Sequence, residues 1–325
     1  MRLLQRKTLR IAFQVLGAVL FIVILTRVDL RTVYHSLRRI PVVYLGATLL
    51  ILVVFTASKS VRWNRIVSLQ GFQVPPARAF RVYAASMFAG YLTPGRLGDF
   101  VKSFYLTGRG MSAGKAIYSS FLDRVFDLLF LAGIGYVSLL TYPSIFDNQT
   151  LITTVIAATA AVCALALFRW RNLLRKTARR FVSAALRGRS GGTVERVLSE
   201  MMSEFDTLRP APVAQMIALS IVAWICHYGV FIVLAAGMGI GAPPHLLIVS
   251  VSAAIFTALI PVSISGLGTR DLVLILIFER AGLSKESAIA FSLCFILVYI
   301  IQGFIGFLCW LAAPISRAEE NGRAV

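Results

Sequence analysis

The chain has 325 residues, 58% hydrophobic and 14% charged, with a formal net charge of +19. Soluble domains carry about 25% charged residues, so this composition excludes an ordinary soluble enzyme and points to an integral membrane protein. The positive excess fits cytoplasmic loops and anionic headgroups, and no soluble basic stretch is long enough for a nucleic-acid-binding domain, so nucleic acid is not an expected partner.

Residues 1–27 join a basic stretch to an apolar run, as a signal peptide does. The run is long and no small-x-small cleavage pattern follows it, so it is read as a retained first helix, with a short span at 11–26. Residues 27–39 carry four Arg and must lie outside if both flanks span, against the positive-inside rule. Residues 40–58 form the second span. Residues 59–81 are basic and contain Pro75 and Pro76, which predicts a cytoplasmic loop. Residues 82–95 are uncharged but too few to cross comfortably. Residues 116–142 are long enough to span, with Asp123, Arg124 and Asp127 in their first half. Residues 143–149 are an outer turn and 150–168 a clean span. Residues 169–189 contain eight Arg or Lys and no acid; through 212 they form the largest polar loop, read as a solvated, headgroup-facing surface. Residues 213–236 span and 237–245 turn outside. Residues 246–269 are uncharged and broken by Pro261, Gly266 and Gly268. Residues 287–315 are the last span. This orientation puts both termini in the cytoplasm.

Residues 59–81 and 102–115 fall on the same basic side, so the stretch between them must enter and return. That predicts a re-entrant helix–break–helix hairpin, with Pro94, Gly95 and Gly98 at its break. Irregular backbone at membrane depth survives only when buried in protein or lining a wet cavity. A shift of 172 residues places Asp99 on Asp271, Gly110 on Gly282, Ser112 on Ser284, Ala116 on Ala288, Ile117 on Ile289 and Ser120 on Ser292. Three spans separate the copies, and an odd number inverts the second. The expected fold class is therefore an all-α polytopic membrane protein with an inverted internal repeat. It has about 6 full spans and two re-entrant hairpins, or 8 or so hydrophobic segments. One transmembrane domain covers 1–325, with half-repeats about 40–168 and 213–315 joined by the basic loop 169–212. The alternative for the second hairpin is that 246–269 simply crosses.

Charges inside a membrane are functional candidates by default. Arg96 and Arg270 sit at the two breaks. Helices starting near Asp99 and Asp271 would add free N–H groups and positive dipole ends, and Arg offers a fork suited to phosphate. Arg96, Arg270 and Lys102 are the candidate lipid-phosphate ligands. The plainer reading, that each Arg pairs with its neighbouring Asp and locks the break, is compatible with this. Asp123 and Asp127 share a face at i,i+4. With Arg124, Asp99 and Asp271 they are candidates for charge balance or ion and proton coupling; Asp123 and Asp127 could be counter-charges for Arg96 or Arg270, a cation-headgroup site or a proton carrier. His227, Tyr299 and Gln302 read as interhelical polar contacts. The four cysteines (Cys163, Cys226, Cys294, Cys309) lie in apolar runs without CxxC spacing and read as small core residues. There is no Ser-His-Asp set, metal cluster, P-loop or GxGxxG, so no metal, cofactor or ATPase activity is expected.

At P-G-R-L-G-D (94–99), D-R-x-x-D (123–127) and S-G-L-G-T-R-D (265–271) the chain resembles the flippase-like transmembrane family of lysylphosphatidylglycerol synthases, the membrane part of the multiple peptide resistance factors. The similarity covers essentially the whole chain and implies translocation of a lipid between leaflets of the cell (inner) membrane. The lipid would be a phospholipid or a polyprenyl-phosphate-linked glycan or hopanoid-type lipid. A glycosyltransferase or an aminoacyltransferase is the implied partner. Asp stands where Glu is expected at both breaks and in the long span. The sequence stops after the membrane part, so lysyl transfer is not carried over. Two other readings stay open: a membrane enzyme acting on a polyprenyl-linked sugar with the Asp residues as acid and base, and a non-transporting anchor for a lipid-modifying synthase.

Overall fold

The computed structural model describes residues 40–141, 191–204, 210–259 and 269–312, and all regular structure among them is helical. The spans expected at 11–26 and 150–168, the loop 27–39, most of the basic loop and the breaks at Pro261, Gly266 and Gly268 lie outside the described residues. In chain order the helices are α1 (Val42–Leu69), α2 (Pro76–Leu92), a 3-10 segment (Pro94–Phe100), α3 (Val101–Gly108), α4 (Ala113–Thr141), α5 (Gly191–Ser203), α6 (Pro210–Gly237), α7 (Pro244–Leu259), α8 (Thr269–Arg280) and α9 (Lys285–Ala312). α1 packs along α6 and α9 along α2, with α4 against α1, α3 and α6.

Three of these helices, α1, α6 and α9, are long and apolar enough to cross a membrane. Each has 28 residues, about 42 Å at 1.5 Å per residue, against a hydrocarbon core of about 30 Å. Their outer faces expose Leu50 and Val53 on α1, Ile221 and Ile225 on α6, and Phe304 and Leu308 on α9. Such continuous apolar faces are abnormal in water and natural against lipid.

The expected loop at 59–81 is corrected in its first part. α1 runs on to Leu69, and Lys59, Arg62 and Trp63 are buried on it. Lys59 lies 17 residues beyond Val42, about 26 Å along the axis, so one helix carries both an apolar shaft and a polar end. The loop proper is short, because Pro75 and Pro76 start α2 with φ already suited to a first turn.

α2 ends where Pro94 requires it. Thr93 is extended (φ −113, ψ 141), the conformation favoured before proline. Its hydroxyl donates to the Ala89 carbonyl and accepts the Gly98 N–H at 2.7 Å, so the 3-10 segment folds back onto α2.

The two copies of the 172-residue shift have the same punctuation. α3 ends at Gly108 and α8 at Arg280; α4 starts at Ala113 and α9 at Lys285. Between them Gly110 (φ 97) and Gly282 (φ 76) take the left-handed region that glycine enters without steric cost. The same backbone bonds follow, Met111 N–H to Leu106 O at 3.1 Å and Leu283 N–H to Phe278 O at 2.9 Å.

α2 and α9 approach closely at Gly306. A Cβ there would meet the Ala84 carbonyl oxygen at 2.5 Å and the Phe88 Cβ at 2.7 Å. Gly306→Ala is expected to cost about 1–3 kcal/mol, as overpacking does. Gly229→Ala on α6, where nothing lies within 4 Å, should be neutral or slightly stabilising by helix propensity. Thermal unfolding of the two variants in detergent makes the comparison.

Candidate functional site

The buried charges collect where α1, α2, α3, α4 and α6 meet. Lys59 and Arg62 are one turn apart on α1, and Asp123 and Asp127 one turn apart on α4, so each pair presents one face to the other. Lys59 Nζ lies 2.8 Å from Asp127 Oδ2. Arg62 Nη2 lies 2.8 Å from Asp127 Oδ1, and its Nε donates to Asp123 Oδ1 at 2.9 Å. Its Nη1 donates to the Ser220 hydroxyl of α6 at 2.7 Å. Asp123 Oδ2 also accepts from Tyr83 of α2 at 2.9 Å and from Lys102 of α3 at 2.5 Å. Arg62, Lys102 and Asp123 are each 1% exposed or less. Burying so many charges is tolerable only because each carboxylate oxygen meets a donor.

This geometry reassigns the counter-charges. Asp123 and Asp127 pair with Arg62, Lys59 and Lys102, and Asp127 also lies 4.0 Å from Arg124; among the described residues neither makes a direct ion pair with Arg96 or Arg270. Lys102, expected on a lipid phosphate, has its ammonium on Asp123 and does not line the cavity described below. Lys59 and Arg62 were missed because residues 59–81 read as a loop, and Tyr83 because residues 82–95 carry no charge to mark it. The signal was present: Lys59, Arg62 and Trp63 continue the helical i, i+3, i+4 spacing beyond the apolar run.

Arg124 points about 100° away from Asp123 around α4 and pairs with Asp99 of the 3-10 segment. Asp99 lies over Gly90 of α2, where a side chain would collide with its carboxylate. Gly98 lies equally close to the Ala89 carbonyl. Pro94 opens the 3-10 segment.

Arg96 is the one non-glycine residue with positive φ (58) among the described residues. That conformation costs about 1–3 kcal/mol and persists only where the surroundings impose it, typically at functional sites. It brings the guanidinium 4.7 Å from the centre of the Tyr91 ring. Tyr91 lies 4.9 Å from Tyr299, and its hydroxyl bonds Gln302 of α9. From the other side, Arg270 stands 4.9 Å from the Phe295 ring and 5.9 Å from that of Tyr299. The two break arginines thus converge on one tyrosine pair. Arg270 is fully buried, bonds Asp271 at 2.9 Å, and reaches Ser292, which itself bonds Asp271.

The shift of 172 places Asp123 on Phe295 and Asp127 on Tyr299. The i,i+4 face of α4 holds Arg62 by carboxylates, and the positions matched to it on α9 set aromatic rings against Arg270.

A cavity of about 50 Å³ opens beside this cluster. Its polar lining is Lys59, Arg96, Arg124, Asp127, Trp224 and His227, and Phe55, Phe231, Phe295 and Tyr299 supply an aromatic wall. Trp224 Nε1 and His227 Nδ1 are buried without a hydrogen-bond partner among the described residues. Such orphaned polar atoms in a native fold call for an explanation, and a ligand acceptor supplies one. Arg270, Asp271, Asp99 and Asp123 do not line this cavity. Among the described residues no group of His, Cys, Asp and Glu is arranged to hold a metal. Cys226, Cys294 and Cys309 are free thiols.

The sequence signature of the lysylphosphatidylglycerol synthase TM region matches residues 9–306. No curated protein and no solved structure is matched.

Proposed function

The chain belongs to the lysylphosphatidylglycerol synthase transmembrane family, and from that premise we propose that this membrane protein is a lipid translocase. It moves a phosphate-bearing lipid between leaflets by passing the headgroup through the cavity beside Arg96. The observation that carries this reading is the cavity's lining. Lys59, Arg96 and Arg124 face it against the single carboxylate of Asp127, and the Trp224 indole N–H has no partner among the described residues. An oxygen-rich anion satisfies such a donor set, and the aromatic wall suits the apolar start of a lipid tail. Arg270 acts from the opposite hairpin, through the tyrosine pair. Ion pairing of Asp99, Asp123 and Asp127 supports charge balance over acid–base catalysis, because each carboxylate already faces a cation.

The topology that goes with this function has two re-entrant hairpins of opposite entry, one built on α2 and α3 and the other on α7 and α8, within about six spans. Both termini face the cytoplasm of a cell inner membrane. The half-repeats 40–168 and 213–315 rock about the cavity, as in inverted-repeat transporters. A glycosyltransferase or aminoacyltransferase would supply or consume the lipid.

Arg96→Gly tests the reading. Glycine accepts φ 58 without strain, so the variant should fold at least as stably as the wild type. In liposomes with a labelled anionic lipid, its translocation should fall about 10- to 100-fold, the worth of a charge-assisted bond. A variant that folds and translocates at the wild-type rate removes Arg96 from the pathway.

A further inference from the structure

We propose that the headgroup taken by this cavity carries two negative charges, as a phosphomonoester or a diphosphate does, and that a cationic aminoacylated lipid is rejected. The inference rests on the reading of the cavity as a headgroup site and narrows its ligand by charge count. Lys59, Arg62, Arg96, Lys102 and Arg124 bring five cations to the cluster, and Asp99, Asp123 and Asp127 bring three carboxylates. Arg270 pairs with Asp271 and lies outside the cavity. Among the described residues no carboxylate lies within ion-pair distance of Arg96, which stands over Tyr91 instead. Among the described residues, two positive charges are therefore in excess in a low-dielectric setting, where unpaired charge is costly. A phosphodiester supplies one negative charge; a phosphomonoester supplies about 1.5 to 2 near neutral pH.

The orphaned groups point the same way. Trp224 is 8% exposed and lines the cavity with an unpartnered Nε1–H. An indole N–H can only donate, so it needs an acceptor oxygen. An ammonium headgroup would have to compete with Lys59 and Arg62 for Asp127, the one carboxylate in the lining, and would meet the like charges of Lys59, Arg96 and Arg124. Aromatic rings can also hold cations, but here Lys59 already stands over Phe55, and Arg270 over Phe295 and Tyr299.

The test uses the full chain in nanodiscs and three lipids with identical acyl chains: phosphatidic acid, phosphatidylglycerol and lysylphosphatidylglycerol. Phosphatidic acid is expected to bind about tenfold tighter than phosphatidylglycerol, and lysylphosphatidylglycerol should not compete. Arg96→Gly should erase the preference, and Trp224→Phe, which keeps the ring and removes the donor, should weaken phosphatidic acid several-fold. Equal binding of the two anionic lipids, or competition by the lysyl lipid, overturns the dianionic assignment. Failure of all three lipids to bind, with no wild-type translocation, overturns the headgroup reading itself. Inorganic diphosphate forms a further arm. Displacement of phosphatidic acid at equal concentration assigns the site to a free anion and overturns the lipid assignment, whereas failure to compete supports it.

Discussion

Asp123→Asn is expected to lower the unfolding free energy by about 3–5 kcal/mol, the usual cost of removing one partner from a buried ionic pair. Asp123 is 1% exposed and accepts from Arg62, Tyr83 and Lys102, on three different segments. Asparagine keeps the shape but loses the charge, and its amide turns at least one acceptor into a donor facing another donor. The positive surplus of the cluster then grows from two to three. Arg62→Met should cost less, although Arg62 makes more bonds, because Asp127 keeps Lys59, Asp123 keeps Lys102, and the surplus shrinks. Adding Lys102→Met to Asp123→Asn should recover part of the loss. A double-mutant cycle followed by equilibrium unfolding in detergent reads this coupling directly. Equal costs for Asp123→Asn and Arg62→Met would falsify the surplus of positive charge on which the headgroup assignment rests.

Gly98→Ala should be nearly as damaging, at about 3 kcal/mol, the upper end of overpacking costs. A Cβ at Gly98 would land on the Ala89 carbonyl group, with the Gly90 N only 2.6 Å away. Both obstacles are backbone of α2, which cannot turn aside as a side chain can. Relief requires the 3-10 segment to lift off α2, which pulls Asp99 from Arg124 and Arg96 from Tyr91. Stability and translocation should therefore fall together, in contrast to Arg96→Gly, where only translocation falls. Leu97→Ala is the control; Leu97 is 67% exposed, so its loss should stay within about 0.5 kcal/mol. Thermal unfolding and the liposome assay on the three variants separate the two effects.

Much of the fold was legible because the bilayer leaves few choices for backbone hydrogen bonds. Composition alone required a helical membrane protein. The Pro-Gly break at 94–95 follows from proline and glycine chemistry at single positions, and the apolar cores of α1, α6 and α9 follow from hydropathy. Arg96, Arg124 and Asp127 could be singled out by a local rule, that charge inside an apolar chain needs a reason.

The partners of those charges were not legible. A pattern along the chain says that Asp123 and Asp127 share a face, but not which cations 61 and 68 residues away will meet it. Lys59 and Arg62 looked like the start of a loop, since burial of a cation depends on a carboxylate delivered by another helix. The break at Pro94–Asp99 is likewise changed by its surroundings. Sequence marked Arg96 and Asp99 as a local pair. Tertiary structure sends Asp99 to Arg124 and leaves Arg96 facing Tyr91 and the cavity. The sequence by itself determined a helical membrane protein with charged breaks, because hydropathy and backbone conformation are local. Only the tertiary structure decided which charges cancel and which remain, because electrostatic balance in a low-dielectric interior is a property of neighbours in space.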